Sequence, residues 1–278
     1  PMPEAAPSTI TGPVAVCPPL SLYIHVPWCV RKCPYCDFNS HAIRGELPEQ
    51  AYLAAIIEDL EQDLALVRDR PIDSVFIGGG TPSLMSGDFY ERLFEQLNQH
   101  LTFSPDAEIT LEANPGTLEA GRFKHFRRAG INRLSIGVQS FQPEHLQALG
   151  RIHDRDAALK AIASAREAGF DNFNIDLMHG LPGQTPEQAL ADLQTALAEG
   201  PSHLSWYQLT IEPNTEFFSR PPALPDDDRL WGIYQTGADY LHSQGFNDYE
   251  VSAWSRPGRE SRHNLNYWTF GECHILCG

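Results

Sequence analysis

Short apolar runs rich in β-branched residues alternate with longer segments of helical period from residue 20 to about 210, and this alternation constrains the fold most. Six runs predict strands, at residues 21–27, 73–79, 108–114, 132–139, 172–180 and 203–210. A break and a helical segment follow each run, as in the βαβ units of a parallel sheet. The sequence therefore predicts an α/β fold, a barrel or a doubly wound open sheet, with functional residues on the loops after the strands.

The helical segments have an apolar face and clear end signals. The first, over residues 48–70, begins with Pro48 and directs its acids toward water. Its apolar stripe consists of Leu53, Ile56, Ile57, Leu60, Leu64 and Val67. Further helices are predicted near residues 89–101, 118–129, 157–168 and 187–197. Three of them should end at left-handed glycines, Gly130, Gly169 and Gly200.

The pattern changes after residue 210. A linker rich in Pro and Asp covers residues 213–228, and an amphipathic helix is predicted near 229–244, followed by the segments YEVSAW and HNLNYW. We therefore divide the chain into a flexible N-terminal segment (1–19), a core of βα units (20–212), and a linker with the start of a smaller second module (213–278).

The charge of the chain argues against two classes of partner. The 278 residues include 36 acidic and 20 basic side chains, a net charge of −16. Such an acidic surface repels phosphate groups, so we expect no nucleic acid and no anionic membrane as the main partner. The sequence has neither an apolar stretch of membrane-spanning length nor the pattern of a signal peptide, which favours a cytoplasmic protein.

Three of the six cysteines lie close together directly after the first predicted strand. Cys29, Cys33 and Cys36 have the spacing C-x3-C-x2-C, whereas Cys273 and Cys277 lie near the end of the sequence. Thiolates suit an iron–sulfur cluster, and three of them leave one iron open. That iron could bind a ligand with an amine and a carboxylate, such as the methionine part of S-adenosylmethionine (SAM).

Two other readings of the cysteine triplet remain open from spacing alone. One is a zinc site with His25 or His41 as the fourth ligand, although no second cysteine pair lies in the body of the chain. The other is a loop with three free thiols.

Polar residues at the ends of the later predicted strands suggest a ligand site. Gly78, Gly79 and Gly80 follow the second strand, where they allow either a tight turn or close approach of backbone to a ligand. Glu112, Gln139, Arg151 and Asp176 lie at or after the next three strand ends. Such groups need partners when buried, and a charged ligand supplies them. A structural salt bridge from Arg151 to Glu112 or Asp176 is the alternative.

Six ordered motifs carry a resemblance to a known family: YIHVPWCVRKCPYCDF, GGGTPS, LEANPG, SIGVQSF, GRIH and NIDLMHGLPGQT. Together they resemble the radical SAM superfamily, whose core is a partial (β/α)6 TIM-type barrel, and more narrowly its oxygen-independent coproporphyrinogen III oxidase group. The resemblance implies a [4Fe-4S] cluster on Cys29, Cys33 and Cys36, with SAM on the open iron. It also implies SAM-binding residues: Tyr23, Tyr35, Gly79, Gly80, Thr81, Glu112, Gln139, Arg151 and Asp176.

One departure from the oxidase indicates a particular branch of this group. The oxidase has a fourth cysteine two residues after the third, where this chain has Phe38. Phe at this position is typical of the HemW-type branch, so the resemblance implies heme as cargo, heme-accepting proteins and an electron donor as partners, and a possible homodimer. An oxidase-like activity in porphyrin biosynthesis is the alternative, and whether the chain is an enzyme stays open.

The end of the sequence carries one further motif and one further departure. HNLNYW resembles a heme-linked motif of that branch, which makes His263 a candidate axial ligand, while a packed aromatic patch beside a capping histidine is the alternative. The final residues GECHILCG differ from the family, which continues into a further domain. We therefore expect a truncated second module and give Cys273 and Cys277 no role.

Overall fold

The computed structural model describes residues 18–67 and 70–278 and is built around one open β-sheet. In chain order the strands are Leu20–Val26 (β1), Trp28–Cys29 (β2), His41–Ala42 (β3), Ile72–Gly79 (β4), Phe103–Ala113 (β5), Arg133–Gln139 (β6), Phe173–His179 (β7), His203–Gln208 (β8), Asn247–Asp248 (β9), Ala253–Ser255 (β10) and Glu272–Leu276 (β11). The predicted N-terminal segment falls almost wholly on residues 1–17. These residues, which include Cys17, lie outside the described part of the chain.

Helices follow the strands of the sheet in regular alternation. They are Glu49–Val67 (α1), Gly87–His100 (α2), Thr117–Ala129 (α3), Pro143–Ala148 (α4), Arg155–Glu167 (α5), Pro186–Ala198 (α6), Glu216–Ser219 (α7), Asp227–Ser243 (α8) and Arg262–Trp268 (α9). Gly130, Gly169 and Gly200 have φ values of +110°, +89° and +72°, so the predicted helix ends are confirmed. Over the ranges that the structure describes, no helix combines the length and apolar character needed to span a membrane.

Six strands form the parallel centre of the sheet, in the order β1-β4-β5-β6-β7-β8. They correspond to the six predicted strands, although β5 begins five residues earlier than predicted. The sheet is not closed, since β1 and β8 pair with other strands rather than with each other. The expected α/β fold with a partial (β/α)6 barrel is therefore confirmed.

The two faces of this sheet differ in polarity. On β1, Leu22, Ile24 and Val26 pack in the main hydrophobic core together with apolar residues of α1, including Leu53 and Ile56. The alternate residues of each strand face the other way, and on this inner face the side chains are mostly polar: Ser21, Ser74, Thr110, Arg133, Ser135, Asn174 and His203. The apolar face binds the helices, so the polar face is the one available for a ligand.

Residues after 213 add strands to both edges of the same sheet. Strand β10 pairs antiparallel with β8, and β11 pairs parallel with β1, with Tyr23 opposite Ile275. The predicted boundary at residue 212 thus falls between strands of one sheet, and the division into a core and a second module stays a prediction. Cys273 lies within β11, so the segment GECHILCG forms part of the fold.

A glycine in α8 tests how closely these later residues pack on the barrel. A Cβ on Gly237 would lie 2.0 Å from the Trp206 ring of β8, whereas one on Gly121 in α3 would meet no atom within 4 Å. We expect Gly237→Ala to lower the free energy of unfolding by about 1–3 kcal/mol through overpacking. Gly121→Ala should raise it by up to about 1 kcal/mol through helix propensity. Urea unfolding of both variants checks this, and equal effects would contradict the packing.

Candidate functional site

The cysteine loop is closed at its base by backbone hydrogen bonds. Strand β2 pairs with β3, and the Pro27 carbonyl accepts a bond from the His41 amide at 2.7 Å. On the far side, the Pro34 carbonyl accepts a bond of 2.9 Å from the amide of Phe217. Residues 30–40 therefore form an anchored loop directly after the carboxyl end of β1, with Cys29 at its base.

The glycine turn after β4 packs against the start of this loop. The amides of Gly80 and Thr81 donate bonds of 2.7 Å to the carbonyls of Val26 and Trp28. A Cβ on Gly80 would lie 2.6 Å from the Trp28 carbonyl oxygen, so this close approach requires glycine. The tight-turn reading of the glycine run is thus correct, and Gly79 and Gly80 also line the cavity described next.

A cavity of about 540 Å³ lies between the cysteine loop and the carboxyl ends of the strands. Its volume is in the range of small-molecule sites, about 300–1,000 Å³. All three loop cysteines line it, and so do eight of the nine residues predicted to bind SAM: Tyr35, Gly79, Gly80, Thr81, Glu112, Gln139, Arg151 and Asp176. The structure therefore brings together residues up to 147 positions apart in the sequence, from Cys29 to Asp176.

Tyr23 is the exception among the predicted SAM residues. Its hydroxyl lies 3.2 Å from Nδ1 of His25, and its ring stacks on Phe76 in the next strand. Nε2 of His25 lies 2.8 Å from the Asn39 carbonyl oxygen. Tyr23 is thus not among the residues that line the cavity, and both ring nitrogens of His25 lie within hydrogen-bonding distance of protein groups.

Arg151 contacts the cysteine loop rather than an acid. Its Nη2 donates to the Asn114 side-chain oxygen at 2.7 Å and to the Gly137 carbonyl at 2.8 Å. Its Nη1 donates to Sγ of Cys33 at 3.4 Å. The alternative of a salt bridge from Arg151 to Glu112 or Asp176 is therefore wrong in this structure.

Two partly buried acids, Glu112 and Asp176, line the cavity, and among the described residues neither forms a salt bridge, although the charge of Arg133 acts on Asp176. Burial raises the pKa of Glu112 to about 8, with a further contribution from the charge of Asp176, although a 3.2 Å bond from the Gly79 amide opposes the shift. Burial also raises the pKa of Asp176, which accepts bonds from Ser135 and Asn174 at 3.0 and 2.7 Å. A positively charged ligand would supply the missing partner for both acids.

The comparisons with known proteins agree with this geometry. The model of the radical SAM superfamily matches residues 23–196. The chain is 56% identical over 262 residues to the heme chaperone HemW of Escherichia coli strain K12, covering 94% of this chain and 69% of that protein. The corresponding protein of Haemophilus influenzae is 54% identical over 266 residues, covering 94% and 70%.

The chain belongs to the radical SAM superfamily and, within it, to the HemW family. A solved structure supports membership of the superfamily: coproporphyrinogen III oxidase (HemN) from Escherichia coli, a radical SAM enzyme, superposes with a TM-score of 0.81 at 28% identity. The alignment covers 94% of this chain and 63% of that one. Both resemblances predicted from the motifs are confirmed, and membership implies a [4Fe-4S] cluster and SAM as cofactors.

The spacing of the cysteines fits a cluster better than a single ion. One tetrahedral zinc, with Zn–S bonds of about 2.3 Å, holds its sulfurs roughly 4 Å apart. Among the described His, Cys, Asp and Glu residues, one group of three has all its ligand atoms within 4.8 Å of one another. It consists of Asp88, Glu91 and His125 and contains no cysteine. The three thiols are therefore not gathered at the spacing of one zinc ion, and thiolates are the ligands that iron–sulfur clusters take. The three thiols of Cys29, Cys33 and Cys36 therefore fit the [4Fe-4S] cluster that the radical SAM fold implies.

Among the cavity residues that sequence reasoning missed, two hold predicted site residues in place: Asn114 and Tyr207. Asn114 donates to Oγ1 of Thr81 at 3.0 Å and holds Arg151. The Tyr207 hydroxyl donates to Oε1 of Gln139 at 2.7 Å, and Gln139 has a strained φ of +70° that this bond helps to hold. Asn114 lies in the LEANPG motif, and the alternation of β8 places Tyr207 on the inner face, so both signals were present.

His263 lies far from the cavity lining. It is 4% exposed at the amino end of the barrel, with its ring against Phe76 and Tyr267 and its Nδ1 3.4 Å from Oγ of Ser74. Burial lowers the pKa of His263 to about 4, so the imidazole is neutral at pH 7. Tyr267 and Trp268 of the same motif are exposed. The heme role of His263 stays a prediction, and it would require α9 to leave the barrel.

The raised pKa of Glu112 gives a pH dependence. Between the ordinary value of 4.5 and about 8, the folded chain keeps a proton that the unfolded chain has released. The free energy of unfolding of the ligand-free protein should therefore fall with rising pH across this interval, by at most about 1.4 kcal/mol per pH unit. Glu112→Gln should reduce this slope, measured by urea unfolding at pH 6 and pH 8.

The control for this test is Glu95→Gln, on the exposed face of α2. It should keep the wild-type slope. A slope that is the same in wild type and Glu112→Gln would show that the Glu112 carboxyl does not hold the proton.

Proposed function

We propose that this chain is a heme chaperone of the radical SAM type, which holds a [4Fe-4S] cluster on Cys29, Cys33 and Cys36 and binds SAM in the adjoining cavity. One observation carries the proposal: an anchored loop with three thiols opens onto a cavity of mixed polar and apolar lining that contains two partly buried acids, neither of them in a salt bridge. The relatives named heme chaperone HemW supply the heme part of the proposal.

The cavity residues have separate tasks in this proposal. When bound, the cluster supplies one electron to the sulfonium of SAM. Glu112 and Asp176 accept bonds from the positively charged and hydroxyl groups of SAM, and the turn at Gly79 and Gly80 lets it approach the backbone. Tyr35, with a pKa raised mainly by burial, stays protonated and covers the cysteine side of the cavity.

Phe38 favours the chaperone over the oxidase. It lines the cavity and is 58% exposed, at the position where the oxidase has its fourth cysteine. A phenyl ring offers an apolar surface but neither a thiolate ligand nor a proton. The chain therefore keeps the SAM cavity of the oxidase group and lacks one reactive side chain at its mouth.

The partners follow from the same proposal. Heme and a heme-accepting protein are the cargo and its destination, a one-electron donor reduces the cluster, and a homodimer is the proposed assembly. Cluster assembly requires free thiols, and Cys29, Cys33 and Cys36 are free in the structure. A reducing compartment maintains such thiols, so we place the protein in the cytoplasm.

The cluster assignment predicts which cysteine is needed. After anaerobic reconstitution with iron and sulfide, Cys33→Ala should lose most of its bound iron and inorganic sulfide, while Cys273→Ala in β11 should match wild type. Addition of SAM should change the electron paramagnetic resonance spectrum of the reduced wild-type protein and of Cys273→Ala, but not that of Cys33→Ala. Equal iron in the two variants, or a wild-type spectrum that ignores SAM, would refute the site.

The chaperone and the oxidase predict different products. With cluster and SAM present, hemin should give a shifted Soret band, and the bound heme should pass to a heme-free acceptor protein. An anaerobic assay with coproporphyrinogen III and a reductant should yield no decarboxylated product. Decarboxylation at a steady rate would overturn the chaperone proposal in favour of the oxidase.

A further inference from the structure

Arg151 connects the barrel wall to one of the three cysteines. Its Nη1 lies 3.4 Å from Sγ of Cys33, and both residues line the main cavity. Both also line a second cavity of about 180 Å³ behind the loop. The guanidinium thus lies between the two cavities, against the thiol that they share.

The orientation of this guanidinium is set before any ligand binds. Nη2 donates to two acceptors, the Asn114 side-chain oxygen at 2.7 Å and the Gly137 carbonyl at 2.8 Å. Gly137 belongs to β6, and Asn114 is itself bound to Thr81 at 3.0 Å. Because the guanidinium is planar, two fixed bonds at Nη2 also fix where Nη1 points.

We propose that Arg151 is a positioning residue that raises the reduction potential of the cluster through its hydrogen bond to Cys33. The inference rests on the proposed cluster site. Reduction adds one electron to the cluster and increases the negative charge on its thiolates. A cationic donor at a ligand sulfur stabilises that reduced form more than the oxidised form. No bond breaks and no proton moves in this step, and the electron comes from the reductant.

Neighbouring side chains allow the hydrogen bond to be separated from simple charge. Arg31 lines the same two cavities but is exposed and forms no hydrogen bond to Cys33 in the described structure. Its removal deletes a nearby charge alone. Asn114→Ala is the complementary change. It keeps the charge of Arg151 but removes one of the two hydrogen bonds that orient its guanidinium.

The test is a redox titration of the reconstituted 278-residue chain without SAM, followed by electron paramagnetic resonance of the reduced cluster. Arg151→Gln should lower the midpoint potential so that, at the wild-type midpoint, the ratio of reduced to oxidised cluster falls about tenfold, equal to about 59 mV. Asn114→Ala should shift it in the same direction by less. Arg31→Gln should change the ratio less than twofold.

The possible outcomes separate this inference from the proposed function. A wild-type midpoint in Arg151→Gln, or an equal shift in Arg31→Gln, would overturn the role of the hydrogen bond while leaving the cluster site intact. If Arg151→Gln does not assemble a cluster, Asn114→Ala decides, and an unshifted midpoint there overturns the inference. Wild-type protein that takes up no cluster would refute the proposed function itself, before any variant is compared.

Discussion

The backbone bonds between the cysteine loop and the glycine turn after β4 determine the geometry of the whole site. The amides of Gly80 and Thr81 bind the carbonyls of Val26 and Trp28 at 2.7 Å, and a side chain on Gly80 would occupy the position of the Trp28 carbonyl. These bonds join the ends of two neighbouring parallel strands. The sheet therefore fixes the position of the cysteine loop, and Cys29, Cys33 and Cys36 line the cavity.

Charge is distributed unevenly around that cavity. The cation of Arg151 lies beside Cys33 and is held by Asn114 and Gly137, so it does not neutralise Glu112 or Asp176. Loss of hydration makes the charged form of each acid costly, which is why burial raises the pKa of both. A ligand with its own positive groups removes this cost, and SAM carries both an ammonium and a sulfonium. The same arrangement thus favours a ligand that brings its own positive charge.

Sequence patterns predicted what depends on local order. The six parallel strands, the helix ends at Gly130 and Gly200, and eight cavity residues followed from periodicity, turn chemistry and family motifs. What the sequence could not predict depends on contacts between distant segments. The pairing of β11 with β1 joins residues about 250 positions apart, and the burial of His263 depends on where α9 meets the barrel. Tyr23 has the expected strand position, yet its hydroxyl is used by His25.

The features that define the superfamily do not decide between its branches. This chain superposes on the oxidase HemN with a TM-score of 0.81, so a cluster loop and a SAM cavity are compatible with either activity. A difference in activity therefore has to come from particular side chains rather than from the fold. Phe38 is one such side chain, since it lines the cavity and is 58% exposed, and Val251, next to the lining residues Glu250 and Ser252, is 82% exposed. Phe38 thus adds an exposed apolar surface to a cavity whose lining also carries charged side chains, which suits a ligand with both an apolar face and charged groups.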